Sequence, residues 1–171
     1  MNPQVFYALS EKYHIDMPCP VVSTLSAVLP DNAPQKLVET AWIRAVNATM
    51  HVDKNFPKNG LSDMQQYELL DLLHIKYKKV FQLDLDNPQK IISFSDIEKY
   101  TKHGNYLVAV KSHPLAAMLG IVPETGHIFN VRNGEFTDEP ANNMWKAGPE
   151  YFVITQILKI EQNDIPNTLK P

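Results

Sequence analysis

Apolar residues recur at helical spacing through the first half of the chain and at strand spacing through the second. Residues 5–12 read as a short helix or an irregular segment. Met17-Pro-Cys-Pro20 then leads into the apolar run VVSTLSAVL (21–29). Pro20 suits a first helical position, which puts Cys19 at the N-cap. Pro30-Asp-Asn-Ala-Pro34 breaks that run. A second helix is predicted over 34–50, with Leu37, Ala41, Trp42 or Ile43, and Val46 inward. DKNFPKNG (53–60) reads as a loop. Ser62 or Asp63 can cap a third helix running to Leu73, with Met64, Tyr67, Leu70 and Leu73 inward. KYKKVFQLDL (76–85) alternates as a strand does, and Ser93 or Ser95 can cap a short helix ending at Gly104.

Beyond Gly104 the pattern is that of strands. NYLVAVK (105–111) is one, PLAAMLGIV (114–122) a second and YFVITQILKI (151–160) the last. Between the last two, residues 127–131 and 135–137 form a hairpin across Arg132-Asn133-Gly134, since Asn-Gly favours the tight turn that joins antiparallel strands. Residues 142–150 (NNMWKAGPE) read as a long loop. Trp42, Trp145, Tyr67, Phe81 and Tyr106 are assigned to packing. Helices first and an antiparallel sheet afterwards make an α+β pattern. The length of 171 residues suits one domain spanning 1–171. Its polar end, 161–171, is expected to be a loose tail.

Charge and cysteine usage narrow the classes. A net charge of −3 leaves no basic footprint for nucleic acid, and Lys76-Tyr-Lys-Lys79 reads as a solvated face. The single cysteine cannot form an internal disulfide and suits a reducing compartment. The start has no basic region followed by an apolar one, and the apolar runs are too short to span a bilayer. These readings predict a cytoplasmic protein that does not engage membranes. No metal or cofactor is expected: His-x-x-His, HExxH and paired cysteines are missing, and the six glycines are isolated rather than gathered in a phosphate loop.

The candidate chemistry is nucleophilic. A thiol at a helix N-terminus feels the positive end of the helix dipole, which favours thiolate. That makes Cys19 a candidate nucleophile. In "GHIFNVRNGEFTDEP" (126–140) the hairpin carries His127 on its first strand toward Asp138 at the end of its second. A histidine can take a proton from a thiol near neutral pH, and a carboxylate can fix its tautomer. Gly126 would leave room for a substrate backbone. His113, with Glu124 eleven residues on, is the rival pair. Pro114 beside it, and Glu in place of Asp, favour His127.

A cysteine opening a helix, with His and Asp on a later antiparallel sheet, resembles the papain-like fold. It is similar to small papain-like cysteine peptidase domains of phages and bacteria. Their patterns, Cys-x-x-x-x-Ala-Leu, Gly-x-Tyr-Leu-Val and Gly-His-x-x-x-Val-x-x-Gly-x-x-x-Asp, have counterparts in three stretches: Cys19-Pro-Val-Val-Ser-Thr-Leu25, Gly104-Asn-Tyr-Leu-Val108, and Gly126-His127 through Gly134 to Asp138. The resemblance covers about 17–140, and the papain-like region would run over about 17–160. It implies N-terminal helices packed on a C-terminal antiparallel sheet. It also implies a hydrolase, most simply a thiol protease, acting on an amide bond of a protein or peptide through a Cys19–His127–Asp138 catalytic triad. Amidohydrolase chemistry is the neighbouring option. The chain departs from the family at Pro18, where a polar residue usually precedes the cysteine, and at Tyr13, where an oxyanion-hole Gln is common. A register in which His follows the Tyr-Leu-Val strand directly selects His113 and Glu124 instead. The alternative function is a catalytically silent papain-like domain serving as a phage, host-interaction or other binding protein.

Overall fold

Local signals decide where the helices begin. Ser62 accepts the Gln65 N–H at 3.2 Å, and the Gln65 side chain accepts the Ser62 N–H at 3.0 Å. This reciprocal capping box opens a helix at the position its sequence predicts. The computed structural model describes residues 1–84, 86 and 91–171. Among them the helices are α1 (Pro3–Lys12), α2 (Cys19–Val28), α3 (Gln35–Val52), α4 (Phe56–Asn59), α5 (Asp63–Leu72), α6 (Ile97–Thr101), α7 (Pro114–Met118) and α8 (Glu139–Ala147). The strands are β1 (Tyr77–Gln82), β2 (Ile92–Ser93), β3 (Asn105–Ser112), β4 (Gly126–Arg132), β5 (Glu135–Phe136) and β6 (Phe152–Ile160). The class is α+β. Leu85, the last residue of the strand expected over 76–85, lies outside the described residues.

The chain divides into two compact units, Met1–Lys78 with Ile160–Pro171, and Lys79–Lys159. The first unit holds α1 to α5. Every residue of α2 from Cys19 to Ala27 is buried, as expected of a helix with apolar residues all round. Its polar Thr24 is satisfied by the Gln66 amide, which donates to the hydroxyl at 3.1 Å. Along α3 the inward stripe is Val38, Ala41, Trp42, Ala45 and Thr49. It is shifted from the expected one, and Ile43 is 48% exposed. Trp42 stacks on Phe6 with ring centroids 6.3 Å apart. On α5, Tyr67, Leu69 and Leu70 face inward, whereas Met64 stays exposed.

The end of the chain is not a loose tail. The Glu161 N–H donates to the Lys76 carbonyl at 2.9 Å, the Thr168 hydroxyl bonds the Leu73 carbonyl, and Leu169 is fully buried. Buried Leu169 and Pro166 together with these hydrogen bonds hold an otherwise polar segment in place.

In the second unit the strand order is β1-β6-β3-β4-β5, with β2 also pairing β6. The β2–β6, β6–β3, β3–β4 and β4–β5 pairs are antiparallel. A bulge between Ala109 and Val110 shifts the β3–β6 register. The core gathers Val108, Val110, Phe129, Val131, Ile154 and Ile157 from the sheet with Phe94, Ala141 and Met144. The hairpin turn forms as predicted: Asn133 and Gly134 take φ of 50° and 82°, the left-handed pair that an Asn-Gly turn supplies.

Two expectations in this unit are corrected. Residues 114–122 do not form a strand. The His113 ring Nδ1 accepts the Leu115 N–H at 3.1 Å and Pro114 opens α7, so a cap and a helix-initiating proline override the β-like run. Residues 142–150 are not a long loop either. They contribute the end of α8, then a 3₁₀ turn (Pro149–Tyr151). Trp145 on α8 is 41% exposed, yet its ring meets Phe94 edge-on at 5.5 Å.

Candidate active site

Cys19 lies in the first unit and is 8% exposed. It is the first residue of α2 rather than its cap: Pro18 stands at the cap, with no side-chain cap bond, and Pro20 follows within the first turn. The thiol therefore belongs to the helix end whose N–H groups lack intrahelical partners. The Cys19 carbonyl accepts the Ser23 hydroxyl at 2.6 Å, one turn on.

His127 and Asp138 lie in the second unit, and there the structure brings them together. His127 is the second residue of β4, paired with Val110. Its period-2 partners Phe129 and Val131 point into the core. The imidazole shares that face and stacks on Phe129 at 5.6 Å, 21° from parallel. Thr137 donates its N–H to the Asn130 carbonyl at 3.4 Å. Continuing that register by one residue sets Asp138 across from Phe129, on the face of His127. Asp138 is 3% exposed, and its carboxylate accepts the Ala141 N–H at 3.1 Å as the N-cap of α8.

These surroundings act on the ring in opposite directions. Burial lowers the His127 pKa from its ordinary value near 6.5, and the Asp138 charge partly restores it. The net is a depressed value, because burial disfavours the charged imidazolium more than the carboxylate favours it.

The rival pair is differently employed. His113 uses Nδ1 to cap α7, and its main-chain N–H donates to the Tyr151 carbonyl at 2.8 Å. Glu124 is exposed. Gly126 needs no special backbone: an added Cβ would meet Lys111 Cγ at 3.5 Å, ordinary contact.

Thr125 escaped the sequence reading. Its hydroxyl lies 3.0 Å from His127 Nε2. No strand spacing announces it, because Thr125 precedes β4 and is placed by its hydrogen bonds to Ser112. Among the described residues no cluster of three or more His, Cys, Asp or Glu could hold a metal ion, and no helix is long and apolar enough to cross a membrane.

Compared with protein-family models, curated proteins and solved structures, the chain finds no match in any.

Proposed function

We propose that the protein is a cysteine hydrolase of the papain-like class, most simply a peptidase, with Cys19 as nucleophile, His127 as general base and Asp138 as the group that orients the imidazole. The observation that carries this reading is the His127–Asp138 pair, an imidazole stacked on Phe129 of β4 and a buried carboxylate at the end of the same hairpin. In the other unit the one cysteine opens a buried helix, and the order Cys, His, Asp along the chain adds its support.

In this reading His127 takes the thiol proton and the Cys19 sulfur attacks an amide carbonyl. The carbon–nitrogen bond breaks, and the imidazolium returns the proton to the departing amine. A thioester remains on Cys19. His127 then activates water, which releases the acid and restores the thiol. The Cys19 N–H, in the first turn of α2, would stabilise the oxyanion. The substrate is a protein or peptide, and a single cysteine, unable to form an internal disulfide, suits the cytoplasm.

Labelling with a peptidyl chloromethyl ketone tests the proposal. The wild type should react at Cys19, Cys19→Ala should not react, and His127→Ala should react slowly. Peptide hydrolysis should vanish in Cys19→Ala with the fold intact; retained turnover would sink the reading. A silent papain-like binding module is the second reading, favoured by Pro18 and Pro20 around a thiol that is 8% exposed. It predicts no labelling in any variant.

A further inference from the structure

β5 is only two residues long, and its ladder with β4 consists of Val131 opposite Phe136 and Arg132 opposite Glu135. The chain keeps this register one residue further because Asn130 of β4 holds Thr137. The Asn130 carbonyl accepts the Thr137 N–H at 3.4 Å and the Thr137 hydroxyl at 3.1 Å. The Asn130 side-chain oxygen shares that hydroxyl proton at 3.4 Å. Asn130 is held in turn by β3: its side-chain amide donates to the Tyr106 carbonyl at 3.1 Å and to the Asn105 side-chain oxygen. A main-chain carbonyl can only accept, so Tyr106 fixes which end of the amide is nitrogen and turns the oxygen toward Thr137. Asn130 is 1% exposed, and a buried amide keeps its place only where such partners satisfy it.

Alternation along the strand converts this grip into a placement. The Phe136 ring meets Phe129 edge-on at 6.1 Å, on the face of β4 that carries His127. Thr137 turns the other way, with Asn130, and Asp138 returns to the Phe136 face. Asp138 is itself extended, with φ −132° and ψ 143°, and α8 starts at the next residue. We propose that Asn130 is a positioning residue for Asp138: by gripping Thr137 it lengthens the β4–β5 ladder and keeps the carboxylate on the His127 face of the hairpin. The proposal rests on the reading of His127 and Asp138 as a base and its orienting group, yet the coupling of the two side chains is measurable without turnover.

The test is a double-mutant cycle read on the His127 ring pKa by NMR in the full chain. Asp138→Asn is introduced into wild type, Asn130→Ala, Thr137→Val and Thr137→Ser. In wild type it should lower the ring pKa, because the carboxylate favours the imidazolium. Coulomb energy falls inversely with distance, so a carboxylate that drifts to twice its separation should make that drop about twofold smaller in Asn130→Ala and Thr137→Val. Thr137→Val removes the hydroxyl and keeps the β-branched shape, so it decides the matter where Asn130→Ala fails to fold. Thr137→Ser retains the hydroxyl and should restore the wild-type drop. A loss of packing alone would lower the urea midpoint and leave the drop as it is in wild type. An undiminished drop in Thr137→Val, or a Thr137→Ser that behaves like Thr137→Val, would therefore overturn the proposal. If the drop shrinks as expected but His127→Ala leaves alkylation of Cys19 unchanged, the positioning role stands and the triad reading fails.

Discussion

Asp138 is placed to perform two tasks, and two substitutions separate them. Its carboxylate caps α8 through the Ala141 N–H, a donor on a fully buried residue. Its charge also acts on His127. Asp138→Ala removes both. Loss of a cap costs ~1 kcal/mol, and the buried N–H left without its acceptor takes the total toward about 2 kcal/mol. Asp138→Asn keeps a side-chain oxygen for Ala141 and loses only the charge near the helix N-terminus, worth under about 1 kcal/mol. With a urea slope of about 2 kcal/mol per molar, Asp138→Ala should lower the unfolding midpoint by about 1 M and Asp138→Asn by less than half of that.

The same pair has a pH signature. Burial places the folded His127 pKa below the unfolded value near 6.5. Between the two, the unfolded chain binds more protons, so stability rises with pH through that window and is complete above it. Both substitutions remove the charge that favours the imidazolium. Both should lower the ring pKa further and extend the acid-sensitive window downward. Ring titration by NMR and urea melts from pH 4 to 8 check the two halves. Equal stability losses for Ala and Asn would refute the capping argument, and an unmoved His127 pKa would refute the electrostatic one.

Three further outcomes are expected. Leu169→Ala should cost about 3 kcal/mol in urea unfolding because the side chain is fully buried; a loss under about 0.5 kcal/mol would return the segment to a loose tail. Gly148→Ala should cost about 2 kcal/mol or more, since φ is +129° and the added Cβ would stand 2.6 Å from the Tyr151 ring. Adding Tyr151→Ala should relieve the clash and leave the backbone strain, and a neutral Gly148→Ala would contradict both. Tyr77 is pushed up to about 12, by burial first and then by its hydrogen bond to Asp71. Its contribution to stability should be present below about pH 10 and lost as pH rises toward 12. Asp71→Asn should bring the Tyr77 pKa down in an absorbance titration, and an absorbance change unmoved by that substitution would speak against the contact.

The parts legible in the sequence are those whose signal is local. Asn133-Gly134 specifies a hairpin wherever it sits, because few other pairs accept two left-handed residues in succession. Ser62 and Gln65 likewise announce a helix start through backbone groups within one turn. Residues 114–122 defeated the reading for an opposite reason. An unbroken apolar run has no period with which to choose strand from helix, and the deciding contact was a histidine ring acting as a cap. Leu115, Met118, Leu119 and Ile121 then stay exposed, which no burial rule anticipates.

The His127–Asp138 pair could be read because hairpin register converts sequence spacing into a shared face. Assigning Asp138 to the imidazole alone hid its other role. With Pro140 two residues on, it also signals a helix start, and that signal places α8 where a loop was expected. The Thr125 hydroxyl went unseen because its position depends on hydrogen bonds to Ser112, thirteen residues earlier. The tail was misjudged on composition, since its polar residues outnumber the buried Pro166 and Leu169 that help to anchor it.

The most direct measurement is the rate of Cys19 alkylation by iodoacetamide from pH 5 to 9 in wild type, His127→Ala and His113→Ala. A thiol served by His127 should react rapidly at pH about 6, lose that reactivity in His127→Ala and keep it in His113→Ala. An ordinary thiol profile that neither substitution changes, or control by His113, would contradict the proposed site.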